Sequence, residues 1–169
     1  MPITKQGNKV SKCSGGNTSI EAGVMPLGKY YVGDLSYVLS DGGTWEEVNI
    51  LRLKDRKRRA NFSTAGGGGQ GKFTLSNGRE IVIFDTAYGD GVYDDYGGRR
   101  YAVDSGSIGL TLAEGLENTQ HGNLIEYKEA FNCRALIQDY RCDGSPRPQG
   151  RFTFMSFGGH EAGIETGFR

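Results

Sequence analysis

Residues 71–85 read GKFTLSNGREIVIFD. Two segments rich in apolar residues, 71–75 and 80–85, flank the tetrapeptide S-N-G-R. The Asn-Gly pair tolerates the positive φ angles that a tight hairpin turn requires. The stretch therefore predicts a β-hairpin and, with it, an antiparallel sheet.

Further short segments with strand character lie on both sides of this hairpin, with turn residues between them. They span residues 29–39, 92–94, 99–104, 107–112 and 151–157. The first contains a Gly-Asp break and predicts a strand with a bulge or two short strands. Short strands at this spacing are typical of sandwiches and barrels. We therefore expect an all-β or β-rich α+β protein, built as an antiparallel sandwich or barrel of short strands.

Two segments are compatible with both helix and strand. In residues 44–53, TWEEVNILRL, Thr44 and Glu47 have the spacing of a helix capping box, whereas the last six residues alternate as in a strand. We favour a short helix or turn followed by a strand. Residues 123–142 contain no Gly or Pro and fit both periodicities. Because the neighbouring segments are strands, we favour strands here too.

The composition bounds the class of protein. The chain has 169 residues, of which 28 are Gly without a three-residue period, which excludes collagen, and 36% are hydrophobic, which excludes wholesale disorder. Lys plus Arg and Asp plus Glu are both 20, so no global field attracts polyanions. No signal peptide or membrane-spanning segment is evident, so we expect a cytoplasmic protein without membrane contact. Cys13, Cys133 and Cys142 cannot all pair within one chain, and reduced thiols are expected.

The chain divides into two regions in this interpretation. Residues 1–28 are polar, contain Gly and lack periodicity, and they predict a polar tail or a strap that lies on the domain. Residues 29–169 are predicted to form a single β-rich domain. Within it, residues 54–72 join the charge run KDRKRR to AGGGGQG and predict a long, flexible basic and Gly-rich loop.

Acidic residues concentrate after the first hairpin. They are Asp85, Asp90, Asp94, Asp95 and Asp104. Converging carboxylates bind calcium, or they form an acid/base pair when one pKa is raised, so these residues are the candidate metal site. Their spacing does not match an EF-hand, and Asp and Gly are also the usual residues of turns. Turn formation is the favoured interpretation, with cation binding and catalysis as alternatives.

Basic residues concentrate before the Gly-rich stretch. They are Arg52, Lys54, Arg56, Lys57, Arg58 and Arg59. Such a run neutralises phosphates in nucleic-acid-binding proteins, but no motif for sequence readout accompanies it, and a solvated loop is the favoured interpretation. Residues 66–72 fit the phosphate-loop pattern G-x-x-x-x-G-K. Phe73 stands where Ser or Thr would bind magnesium, and a strand rather than a helix is predicted to follow, which argues against a nucleotide site.

Three short motifs stand in a fixed order. They are YYVGD at 30–34, AYGDGVY at 87–93 and VDSG at 103–106, with Trp45 after the first. This combination resembles a family of small uncharacterised proteins over about residues 29–112. The resemblance implies a compact β-rich domain, and it implies no activity.

These observations favour a non-enzymatic β-rich binding or structural protein that self-associates into an oligomer or assembly. One alternative is a small metal-dependent or acid/base hydrolase that uses Asp85, Asp90, Asp94 and Asp104. A second is a nucleic-acid binder that uses residues 52–59. We expect no cofactor, with calcium as the alternative. The expected partner is a second copy or another protein, ahead of nucleic acid.

Overall fold

The computed structural model describes residues 14–59, 68–141 and 150–168. Within these ranges the chain forms eleven strands and one α-helix, α1, at Thr44–Arg59. The strands are β1 Ser14–Met25, β2 Gly28–Gly33, β3 Gly71–Thr74, β4 Glu80–Asp85, β5 Gly91–Asp94, β6 Arg100–Val103, β7 Ser107–Leu112, β8 Asn123–Tyr127, β9 Phe131–Arg141, β10 Gly150–Phe157 and β11 Gly163–Phe168. Short 3-10 helices span Leu35–Tyr37, Asp41–Gly43, Thr119–His121 and His160–Ala162.

Two antiparallel sheets and a hairpin make up the β structure. The four-stranded sheet has the order β11-β10-β9-β1, and the five-stranded sheet has the order β3-β4-β7-β2-β8. Strands β5 and β6 pair with each other as a hairpin. These pairings are antiparallel, which confirms the predicted β-rich fold with two packed sheets.

The five-stranded sheet is buried on both faces. Along β4, Val82 and Phe84 enter a core shared with the four-stranded sheet, whereas Ile81 and Ile83 enter a second core with α1. Successive side chains of a strand point to opposite faces, so a continuous apolar run such as IVIF suits a strand covered on both sides. The described part of the molecule therefore has three layers: the four-stranded sheet, the five-stranded sheet and α1.

Helix α1 corrects two predictions. Residues 48–53 are helical rather than a strand, and residues 54–59 continue the helix rather than begin a flexible loop. The segment has good helix formers, acidic residues in its first turn and cations in its last turn, which the helix dipole favours. Val48 and Arg52 are buried four residues apart on one face. The remainder of the predicted loop includes residues 60–67, which lie outside the described residues.

The structure also corrects the predictions for residues 1–28 and 29–39. Residues 14–25 of the predicted tail or strap form β1, which pairs with β9 along its whole length. Residues 1–13 lie outside the described residues. The strand character predicted for 29–39 ends at Gly33, because Asp34 caps the 3-10 helix that follows by accepting a hydrogen bond from the Ser36 amide.

The hairpin and strand predictions elsewhere are confirmed. Strands β3 and β4 pair as the sequence of 71–85 predicts. Strands β5 and β6 correspond to the predicted segments 92–94 and 99–104, and they form a second hairpin. Residues 123–141 form two strands, β8 and β9, and residue 142 lies outside the described ranges. Lys72, the last residue of the phosphate-loop pattern, lies in β3 and donates to the Val24 carbonyl at 3.1 Å.

A glycine allows the close approach of the first 3-10 helix to the five-stranded sheet. A Cβ added at Gly109 would lie 2.6 Å from Leu35 Cδ1 and 2.6 Å from the Val82 carbonyl oxygen. Both distances are shorter than van der Waals contact, so a larger side chain in this part of β7 would displace Leu35 from its core. Some of the 28 glycines therefore allow close packing, in addition to those that form turns.

Candidate functional site

The three sequence motifs meet at one end of the five-stranded sheet, which we call the motif end. Asp34 directly follows β2, the loop of the second motif follows β4, and the third motif directly precedes β7. The register places Asp85 opposite Ser107 and Gly33 opposite Gly109, so these strand ends lie side by side. Residues far apart in sequence are therefore neighbours here.

Asp34 holds the motif end together. Its side chain is fully buried, and Oδ1 accepts hydrogen bonds from the Ser36 amide at 2.9 Å, the Ser36 hydroxyl at 2.7 Å and the Ser105 hydroxyl at 2.8 Å. Oδ2 accepts from the amides of Asp104 at 2.7 Å and Ser105 at 2.8 Å. Five donors leave this carboxylate no free lone pair for a ligand. This role was not predicted from the sequence, although an Asp two residues before a Ser is a signal for a local turn.

Asp95 has a similar role in the β5–β6 turn. It is buried and accepts from the amides of Gly97 at 2.9 Å and Arg99 at 2.8 Å, and from the Tyr101 hydroxyl at 2.8 Å. The Arg99 guanidinium lies 3.2 Å away. Burial, with the hydrogen bond to Asp95, raises the pKa of Tyr101 well above its usual value. These contacts fit the interpretation of this aspartate as a turn residue.

Asp85 joins β4 to the helix. Its carboxylate pairs with the buried guanidinium of Arg52, and Arg56 lies 4.0 Å away on the other oxygen. Arg52 also donates from Nε to the Gly69 carbonyl at 2.7 Å. The Asp85 amide donates to the Gln70 side chain at 2.8 Å. The pair thus fixes α1 and the end of the Gly-rich segment onto the sheet.

The other predicted site carboxylates lie at the surface. Asp94 forms an exposed ion pair with Arg100 at 3.2 Å, and Asp90 is exposed beside Gly106. Within the described ranges no group of three or more His, Cys, Asp or Glu side chains is arranged to hold a metal ion. Calcium binding and hydrolysis by these residues stay predictions.

An aromatic pair borders the motif end. The Tyr37 hydroxyl donates to Asp104 Oδ2, and the Tyr37 ring stacks on His121 with centroids 4.0 Å apart and planes 18° from parallel. The hydrogen bond to Asp104, helped by partial desolvation and nearby carboxylates, raises the pKa of Tyr37 to about 12. The sequence does not indicate that Tyr37 contacts Asp104 or His121, because only the tertiary structure brings these residues together.

This contact gives a prediction for alkaline titration. The phenol must stay protonated to donate, so the contact is complete below the usual tyrosine pKa of about 10 and is lost as the pH rises through about 12. In an Asp104→Ala variant we expect the absorbance change of one tyrosine to move toward pH 10. A titration of Tyr37→Phe, which lacks this phenol, identifies the tyrosine as Tyr37. An unchanged curve would contradict the contact.

The basic run does not form one free patch. Arg52 is buried against Asp85, whereas Arg58 at 2.6 Å and Arg59 at 3.0 Å both pair with Asp55. Lys54 and Lys57 are exposed, and neither forms an ion pair with another described residue. Arg56 lies 4.0 Å from Asp85, so four of the six cations have a carboxylate within ion-pair distance. Nucleic-acid binding through residues 52–59 stays a prediction.

Cys133 is a buried free thiol in the core between the sheets. Burial raises its pKa to about 12, so the thiol is protonated and unreactive at neutral pH. Cys13 and Cys142 lie outside the described residues.

A cleft of about 550 Å³ lies near the start of β2. Met25, Tyr30 and Leu112 give it apolar walls, and Glu80 and Glu114 border it. Arg79 also borders the cleft, but its guanidinium already donates to the carbonyls of Leu112 at 2.7 Å and Glu114 at 2.8 Å. The Arg79 guanidinium thus serves the fold.

Apolar side chains also occupy the outer face of the four-stranded sheet, the face turned away from the core. Leu136, Phe152 and Phe154 are half-buried there, on neighbouring strands β9 and β10. A cleft of about 360 Å³ lies beside Leu136 and Phe154, and its lining also includes Ser19, Glu21, Arg134 and Ala135. The sequence analysis predicted the β10 segment as an aromatic strand without assigning its two faces.

No protein-family model matches this chain, and no curated protein or solved structure matches it. The resemblance to small uncharacterised β-rich proteins therefore stays a prediction. In the part of the chain that the structure describes, no helix has the length and apolar character needed to cross a membrane.

Proposed function

We propose that this protein acts without catalysis, as a structural protein that binds copies of itself through the outer face of its four-stranded sheet. The observation that carries the proposal is the set of apolar side chains on that face: Leu136, Phe152 and Phe154. An antiparallel sheet with one packed face normally presents polar residues to water on the other. Apolar residues grouped on such a face are typical of a binding surface.

The local packing explains part of this arrangement. Phe152 lies directly opposite Gly167, and the Phe154 ring covers Gly163, where an added Cβ would lie 3.0 Å from it. Aromatic rings that cover glycines on the neighbouring strand stabilise the sheet. The Phe154 ring also stacks on Tyr96, with ring centroids 6.0 Å apart. Phe152 and Phe154 nevertheless stay partly exposed. Leu136 lies directly across from Phe154 and has no glycine to cover. The apolar surface is therefore larger than local packing requires.

The charges around this face suit contact between identical copies. Arg134 lies across from Glu21 on β1, and Glu165 lies across from Phe154 on β11, so charges of both signs flank the apolar centre. In a two-fold contact the same surface meets itself, and both signs are needed for opposite charges to meet. The chain has a formal net charge of zero, so copies do not repel each other as a whole.

A single substitution tests this contact. We expect Leu136→Lys to lower the mass measured by static light scattering, because the contact would have to remove a charged lysine from water in place of an apolar side chain. The matched control is Leu124→Lys, which changes an exposed leucine on β8 of the other sheet and should keep the unaltered mass. Circular dichroism checks that both variants are folded. Equal masses for the unaltered protein and Leu136→Lys would refute the sheet contact.

A further inference from the structure

The outward face of α1 carries two exposed aliphatic side chains. Ile50 is 53% exposed and Leu53 is 48% exposed, although Val48 and Arg52 on the opposite face are buried. At 3.6 residues per turn, positions 46, 50, 53 and 57 form a single row that faces directly away from the sheet. This row, which we call the outer row, reads Glu46, Ile50, Leu53 and Lys57. Its spacing is that of a helix–helix seam.

We propose that two copies of this protein pair through α1, with the helices antiparallel about a two-fold axis between residues 51 and 52. In this arrangement Ile50 of each copy packs against Leu53 of the second copy. Glu46 of each copy lies against Lys57 of the second copy, so opposite charges meet at both ends of the seam. Each contact occurs twice, as a two-fold interface requires.

The distribution of charge along the outer row selects the antiparallel direction. The acidic residue stands in the first turn of α1 and the lysine in the last part, a polarity that also suits the helix dipole. A parallel pair would place Glu46 against Glu46 and Lys57 against Lys57.

A second copy suits the row better than nucleic acid does. Phosphates would bind Lys54, Lys57 and Arg58, but they would leave Ile50 and Leu53 against a charged backbone. Apolar side chains at the centre with charges at the margin are typical of protein interfaces. Binding of nucleic acid to this row is therefore the alternative result that the experiment must distinguish.

The two contacts together determine the form of the assembly, and this part of the inference rests on the proposed function. The outer row and the outer face of the four-stranded sheet lie on opposite sides of the three-layer molecule. A copy with two different two-fold contacts on opposite sides continues to add copies rather than closing as a dimer. The helix contact alone gives a dimer.

An exchange of charges tests the helix contact, measured by sedimentation equilibrium on the 169-residue chain that carries Leu136→Lys. We expect this protein to remain a dimer and to become a monomer when either Glu46→Lys or Lys57→Glu is added. Each single change places like charges at both ends of the seam. The double variant Glu46→Lys, Lys57→Glu restores opposite charges, and we expect it to restore the dimer, which a merely misfolded variant would not do.

Different results would contradict the helix contact and the sheet contact. If Leu136→Lys alone is a monomer, or if the double variant does not recover the dimer, the helix contact is wrong while the sheet contact can stand. If Leu136→Lys leaves the mass of the unaltered protein unchanged, the sheet contact is wrong, and the charge exchange still reports on the helices. A short DNA duplex is the probe for the competing outcome. Binding that Lys57→Glu abolishes, with no change of protein mass, would assign the row to nucleic acid and overturn the inference.

Discussion

Replacing Asp34 with alanine is expected to lower the free energy of unfolding by roughly 3–5 kcal/mol, because five donors at the buried motif end would lose their shared acceptor. Chemical denaturation at neutral pH measures the change. The matched control is Asp94→Ala, which removes an exposed carboxylate and its ion pair with Arg100, and which should change stability by less than about 1 kcal/mol. If the two variants lose similar stability, Asp34 does not have the structural role described above.

Replacing Arg52 with alanine is expected to lower the free energy of unfolding by about 3 kcal/mol, near the lower end of the range for breaking a buried pair, since Asp85 is partly exposed. The change removes the ion pair with Asp85 and the hydrogen bond to the Gly69 carbonyl. Chemical denaturation again gives the value. Arg52→Lys keeps the charge without the planar fork and should lose an intermediate amount.

The control for Arg52 is its exposed neighbour. Lys54→Ala, two residues along α1, should change stability by less than about 0.5 kcal/mol, because Lys54 forms no ion pair with another described residue. A loss for Arg52→Ala as small as this would show that the residue belongs with the solvated cations of the basic run, as the sequence alone indicates.

The strands were predictable where local chemistry and burial agree. In residues 71–85 the Asn-Gly turn and the apolar runs beside it point to the same hairpin, and the structure contains it. Residues 48–53 alternate in polarity, but they also place Val48 and Arg52 one helical turn apart. Helix propensity, together with the charges at each end of residues 44–59, outweighs that alternation. An arginine at a buried position also weakened the apolar signal of the helix.

The site was predictable only where its contacts are local. The role of Asp95 follows from turn chemistry, since its backbone donors lie two and four residues away. Asp85 pairs with Arg52, which lies 33 residues away in the sequence. Asp34 accepts a hydrogen bond from Ser105, which lies 71 residues away. No spacing rule links such pairs. The clustered aspartates thus include residues with different structural partners, and Asp34, which binds the most donors, stands outside the cluster.

The surfaces proposed for assembly also depend on the tertiary structure, and local sequence alone does not identify them. Ile50 and Leu53 stand out only when α1 is known to be a helix and its buried face is known. Leu136 and Phe154 belong to separate strands, and their contact across the outer face depends on the register of β9 with β10. The sequence predicts self-association in general terms, from aromatic, glycine-spaced strands, and the structure supplies the surfaces through which we propose it occurs.

The mass of the unaltered 169-residue chain in solution tests its self-association most directly. Sedimentation equilibrium over a wide range of protein concentration is expected to give a mass well above the 18.4 kDa of one chain, and a mass that rises with concentration. A mass of 18.4 kDa at every concentration would contradict both proposed contacts.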